Sequence, residues 1–173
     1  MSWLRALTSA LFLFFVFTIQ EGAIARINFP ITGFSFFLAV LVALMALEEK
    51  SGAVVMGFIG GIILDLSPTT NSPFGQWALV LTVVGYLIAT NTESVGDFSA
   101  RPGAFVLFVA FGVTITLTLY LLVGTLVGEN AGTIGRNTVV VLGNFMWTLL
   151  FTPIFLPSLV RVRQATLTSR ERS

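Results

Sequence analysis

Long apolar runs, separated by short clusters of charged or turn-forming residues, occupy most of the chain. A helix crosses about 30 Å of hydrocarbon in about 20 residues, so runs of this length predict membrane spans. Backbone groups in lipid must pair internally, and we therefore expect each span to be an α-helix. The predicted spans are Ala6–Gln20 with an extension toward Ala25, Ile27–Leu47, Gly52–Leu66, Gln76–Ala89, Gly103–Gly128 and Asn137–Val160.

One loop interrupts an uncharged stretch that is too long for a single span, Leu66–Thr92. Its sequence is SPTTNSPFG, residues 67–75, and it carries no charge. This loop is predicted to dip into the outer boundary and to form the rim of a shallow cavity. Ser72 and Pro73 fit a helix start, with serine as the cap and proline in the first turn.

Composition places the chain in the membrane class. Of 173 residues, 55% are hydrophobic and 10% are charged, whereas soluble domains carry about 25% charged residues. The predicted fold is therefore an all-α integral membrane protein, with a six-helix transmembrane domain over residues 1–160 and a basic, mobile tail over 161–173. The net charge of +1 provides no basic surface for nucleic acid.

Missing residue types exclude most catalytic chemistry. The chain has no cysteine and no histidine, which rules out Ser-His-Asp, Cys-His and HExxH sites. An aspartyl protease needs two carboxylates that share a proton, but Asp97 is predicted on the side opposite to Asp65. We therefore expect no enzymatic activity, no metal and no cofactor.

Lysine and arginine positions predict the orientation. Cytoplasmic loops carry an excess of these residues, and both termini of this multi-pass protein are therefore predicted to be cytoplasmic. The outer side then holds Arg26 and Arg136, and the inner side holds Arg5, Lys50, Arg101, Arg161, Arg163, Arg170 and Arg172.

The sequence allows two interpretations of the first helix and two of the C-terminal tail. Ala23–Ala25 resembles a signal-peptide cleavage site. We expect the first helix to be retained, and cleavage would leave five spans in the same orientation. The tail is expected to be a solvated segment, with docking or binding of anionic lipid as the alternative.

The third predicted helix carries a stripe of small residues that ends in a carboxylate. Gly57, Gly61 and Asp65 are four residues apart and so share one face. Glycines at this spacing let a second helix approach closely. A charge in lipid costs on the order of 2.5–3.5 kcal/mol or more, so Asp65 should be sheltered. Three partners remain open for it: Arg136, Arg26, or the backbone N–H groups at the start of the fourth helix.

Two more candidate residues lie on the sixth helix. Asn144 shares a face with Thr148 and Thr152, which predicts interhelical hydrogen bonds beside a kink at Pro153. Trp147 is predicted near the middle of the membrane, either packed internally or facing a partner.

The stretch Gly57–Leu87 resembles the signature region of the rod shape-determining membrane protein family MreD. The matching pattern is a Gly-Phe pair, a glycine, an aspartate, a short polar loop, then Gly, Ala-Leu and Gly-Tyr-Leu. These elements fall on Gly57, Phe58, Gly61, Asp65, Gly75, Ala78, Leu79, Gly85, Tyr86 and Leu87.

This resemblance implies a function and partners. Members of the family act in the cell-elongation machinery of bacteria beside MreC, a single-span protein, and their bundle is similar to the S component of energy-coupling-factor transporters. The wider assembly includes MreB filaments, a RodA-type glycosyltransferase and a class B penicillin-binding transpeptidase. The resemblance thus implies a membrane scaffold that binds an MreC-like protein and helps to regulate peptidoglycan synthesis and cell shape. The alternative is a subunit that binds or transports a small solute.

Overall fold

The computed structural model of the protein describes residues 3–24, 27, 34–67, 72–95, 101–130 and 132–166, with side chains from 7 to 161 within these ranges except 92–95. The regular structure within these ranges is α-helical, which confirms the all-α part of the predicted fold class for that part of the chain. The helices are α1 Trp3–Gly22, α2 Phe36–Leu47, α3 Lys50–Asp65, α4 Gln76–Val95, α5 Pro102–Val127 and α6 Ile134–Thr166.

Helix α2 forms the centre of the bundle and contacts each of the other five helices. Every residue from Phe37 to Ala46 is buried. A helix that is apolar on all sides belongs in a core rather than at a surface. One buried side chain from each surrounding helix illustrates the packing around it: Leu13, Met56, Leu81, Phe105 and Leu159.

The second span, predicted over Ile27–Leu47, is helical only from Phe36 among its described residues. Ile27 lies in a bend, Phe34 and Ser35 precede the helix, and residues 28–33 lie outside the described part of the chain. The sequence before Phe36 contains Pro30 and Gly33, the two residue types with the poorest helix propensity. The 12 residues of α2 extend about 18 Å at a rise of 1.5 Å per residue, well short of the hydrocarbon thickness.

Among the described residues, two helices are long and apolar enough to cross a membrane: α5, Pro102–Val127, and the part of α6 over Ile134–Arg161. Shorter apolar stretches lie at Leu7–Gly22, Phe36–Leu47 and Gln76–Asn91. Helix α6 continues to Thr166, so it passes the predicted end at Val160 and includes the first residues of the predicted tail.

Large apolar side chains cover the outward faces of these two helices. On α5 they recur every four residues at Leu107, Phe111 and Ile115, each about half exposed. The outward row of α6 has the same spacing at Leu142, Met146, Leu150 and Ile154. Helical spacing of this kind forms one continuous apolar stripe on each helix, and contiguous patches of this sort are uncommon on soluble monomers.

The end of the bundle where α3 and α5 finish and α4 and α6 begin is called the Asp65 end. It contains Asp65, Gly75 and Arg136 of the sequence-predicted site residues. The Lys50 ammonium lies 4.8 Å from the centre of the Tyr86 ring. This cation–π contact joins the start of α3 to the middle of α4.

Candidate functional site

The Asp65 carboxylate caps the start of α4. Its Oδ1 accepts a hydrogen bond from the Trp77 backbone N–H, and its Oδ2 accepts one from the Ala78 N–H, both at 3.0 Å. The first N–H groups of a helix have no acceptor within the helix itself, and a carboxylate at that position is also favoured by the helix dipole. Of the partners predicted for Asp65, the structure therefore shows the backbone of the fourth helix.

The remaining N–H groups of the first turn of α4 are satisfied by the loop. Gln76 donates to the Pro73 carbonyl at 3.2 Å, and Leu79 donates to the Gly75 carbonyl at 2.9 Å. Gly75 has a φ of +96°, which an L-residue in a helix does not adopt. The helix must therefore begin after Gly75, and the predicted start at Ser72 and Pro73 is wrong.

Arg136 does not pair with Asp65. Its side chain is exposed, and its backbone N–H donates to the Thr133 hydroxyl oxygen at 3.4 Å. Among the side chains that the structure describes, no ion pair joins Arg136 to Asp65. The other predicted cation, Arg26, lies outside the described residues.

The glycine stripe of α3 packs directly on the backbone of α4. A Cβ added at Gly57 would collide with the Leu81 carbonyl oxygen, and one at Gly61 would collide with the Ala78 Cα. The same holds in reverse for Gly85, whose added Cβ would lie 2.7 Å from the Ala53 carbonyl oxygen. The stripe is thus covered by a helix of the same chain, and Phe58, one position along, is exposed at 52%.

The start of α2 is capped by amides from two other helices. Asn144 of α6 is 4% exposed, and its Oδ1 accepts the Ser35 N–H at 2.8 Å. Gln20 of α1 accepts the Phe36 N–H through Oε1 at 2.8 Å. The predicted interhelical role of Asn144 is confirmed, whereas the role of Gln20 was not predicted.

Trp147 belongs to a group of aromatic side chains packed on the core. Its ring centre lies 5.9 Å from that of Phe151, which stacks on Phe34 at 5.2 Å. Of the two placements predicted for Trp147, the structure shows the packed one, with the side chain half-buried.

A polar recess lies at the Asp65 end, between the last turn of α5 and the first turns of α6. Glu129 and Arg136 both line it. Near it, the Trp77 and Tyr120 rings stack with centres 4.0 Å apart, and Gln76 donates to the Tyr120 carbonyl at 3.1 Å. The predicted cavity rim was the loop over 67–75, whereas the recess is lined by the ends of α5 and α6.

The described residues contain no group of three acidic side chains that could hold a metal ion. Asp97, the second carboxylate considered for a protease, lies outside the described residues. No protein-family model, curated protein or solved structure matches the chain.

Proposed function

We propose that the protein is a non-enzymatic, multi-pass subunit of the bacterial inner membrane that acts in the MreD manner. It binds an MreC-like single-span protein in the rod-shape complex and helps to regulate peptidoglycan synthesis. Through that partner it is linked indirectly to MreB filaments, a RodA-type glycosyltransferase and a class B penicillin-binding transpeptidase.

One observation carries the proposal: residues of the MreD-like pattern meet one another across α3 and α4. Asp65 accepts from the Ala78 N–H, and Gly61 lies on Ala78. Helices α3 and α4 also share the most extensive contact in the bundle. A pattern spread over 31 residues of sequence thus corresponds to one packed helical hairpin, which supports the proposal.

The apolar exterior of α5 and α6 supports a membrane location. In the proposed arrangement all six helices form an S-component-like bundle with both termini in the cytoplasm. Helix α2 need not match the bilayer thickness, because five helices surround it and side chains cap its first N–H groups. Irregular backbone at membrane depth is tolerated where protein buries it.

The partner must bind an outer face, because the small-residue stripe of α3 is occupied by α4. Helix association in lipid depends on van der Waals packing and hydrogen bonds rather than on a hydrophobic driving force. Phe58, Phe111 and Met146 are more than half exposed on three different helices. They therefore offer three separate positions at which contact with a partner can be detected.

Co-purification tests the proposal. The tagged chain is co-expressed with the MreC-like protein of the same genome, and both are purified in mild detergent. We expect an equimolar complex, and a photo-crosslinker placed at Phe58, Phe111 or Met146 should capture the partner from at least one position. A single-span protein of unrelated function serves as the control. Recovery of the MreC-like protein at the control level, without a crosslink, would contradict the proposal.

A small-solute binding subunit is the second candidate. The polar recess at the Asp65 end favours it, because this cavity contains groups of both charges.

A further inference from the structure

The polar recess has the size and lining of a ligand site. Its volume is about 340 Å³, at the lower end of the range for small-molecule sites. The residues that line it and matter for its chemistry are Tyr120, Gly124, Glu129, Asn130, Arg136 and Asn137.

The two charges of the recess do not neutralise each other. In the part of the chain that the structure describes, no ion pair joins Glu129 to Arg136, and neither side chain has a hydrogen-bond partner. A carboxylate only accepts hydrogen bonds and a guanidinium only donates them. The recess therefore presents one set of free acceptors and a separate set of free donors.

A buried amide oxygen without a partner lies in a side chain that neighbours the recess. Gln76 is 6% exposed, and its Oε1 is buried without a hydrogen-bond partner among the described residues. Its Nε2 donates a hydrogen bond to the Tyr120 carbonyl, and this bond fixes the orientation of the amide. Buried polar atoms without a partner are rare in native proteins and call for an explanation.

Gly124 brings the Glu129 carboxylate close to the amide nitrogen of Gln76. A Cβ added at this glycine would lie 2.5 Å from the Glu129 Oε2 and 3.1 Å from the Gln76 Nε2. The carboxylate and the amide are therefore neighbours, and the missing side chain of Gly124 leaves room for both. An ammonium bound in the recess would supply the Glu129 carboxylate with N–H donors.

We propose that this recess binds a small zwitterion that carries a primary ammonium and an anionic group. The ammonium donates to Glu129, and the anionic group accepts from the Arg136 guanidinium. A ligand of one sign would leave the opposite charge of the recess without a partner. Two sources share this chemistry, the headgroup of phosphatidylethanolamine and a free amino acid. The proposal is independent of the scaffold role, because it involves no partner protein.

Calorimetric titration of the purified full-length protein tests the proposal, with glycerophosphoethanolamine and alanine as the two probes. We expect at least one probe to bind, and Glu129→Gln and Arg136→Gln each to weaken that binding about tenfold or more. Glu49→Gln and Arg101→Gln are matched controls, since both side chains are exposed at the opposite end, and they should leave the affinity unchanged. Glycerophosphocholine, whose quaternary ammonium has no N–H, should bind less tightly than glycerophosphoethanolamine.

A second variant pair separates ligand binding from loss of folding. Gly124→Ala places a methyl group against the flexible ends of two side chains, so the chain should fold while affinity for the probe falls. Gly103→Ala, on the same helix, meets no atom within 4 Å and should bind as the parent does. Binding of glycerophosphoethanolamine alone assigns a lipid headgroup, and binding of alanine alone assigns a free amino acid. Absence of binding by both probes, or binding that Glu129→Gln and Arg136→Gln leave intact, overturns the proposal.

Discussion

The first N–H groups of α2 and of α4 both bond to side chains of other helices, but the chemical groups that accept these bonds differ. For α4 a single carboxylate, Asp65, accepts from two N–H groups and comes from the preceding helix. For α2 two neutral amides, Gln20 and Asn144, come from α1 and α6. The charged cap lies at an end of the bundle and is only partly buried, whereas Asn144 is 4% exposed. A charge becomes more costly with burial, which accounts for the neutral groups at α2.

The largest expected effect comes from separating α3 and α4. In Gly61→Ala the new methyl group meets the backbone of Ala78, which cannot move without shifting α4 away from Asp65. Overpacking against backbone should lower the free energy of unfolding by about 3 kcal/mol or more. The matched control, Gly103→Ala, is expected to change it by at most about 1 kcal/mol, in the stabilising direction. Unfolding titrations in detergent measure both, and equal stability of the two variants would refute the close α3–α4 contact.

Removal of the charged cap should have the next largest effect. Asp65→Ala leaves the Trp77 and Ala78 N–H groups without acceptors, and two bonds to a charged group correspond to about 2–4 kcal/mol. Asp65→Asn keeps one amide oxygen as an acceptor and should lose less. Because Arg136 is not the partner, the charge exchange Asp65→Arg with Arg136→Asp should be no more stable than Asp65→Arg alone. A rescue of stability by that exchange would argue for the ion pair instead.

The neutral caps should each have a smaller effect. Asn144→Ala and Gln20→Ala each remove an acceptor from one or two N–H groups, so we expect a loss of about 1–2 kcal/mol for each. The amides bond different residues of α2, so the losses should add in the double variant. Asn144→Asp should be at least as harmful as Asn144→Ala, because a carboxylate oxygen would replace the amide that donates to the Val140 carbonyl. A double variant no less stable than the worse single one would show that the two amides act as one unit.

The two caps also differ in what the sequence could predict. Asp65 is the only ionisable residue in its apolar run and lies 12 residues before Trp77, so the start of the next helix was among its expected partners. Asn144 and Ser35 are separated by 109 residues, and no local pattern connects them. A prediction of interhelical hydrogen bonds was possible for Asn144, but the identity of the partner depends on the packing of the whole bundle.

The glycine stripe and the recess illustrate the same limit. Spacing of Gly57 and Gly61 predicts a close helix contact, but such a stripe fits a helix of the same chain or of a partner equally well. Charge counting predicted Arg136 on the outer side, while its position in one recess with Glu129 depends on the turn between α5 and α6. The start of α2 was predicted too early because apolar composition does not distinguish a helix from the segment before it.

The bond from Asn144 to Ser35 also constrains the order in which the chain can mature. Synthesis proceeds from the N-terminus, so Ser35 is added to the chain 109 residues before Asn144, its acceptor. Until α6 has been made, the Ser35 N–H before the central helix lacks its Asn144 acceptor. Water, lipid headgroups or an insertion factor must accept this hydrogen bond instead. A nascent chain arrested before residue 144 would therefore expose this donor, and arrival of the last helix would close the bundle around it.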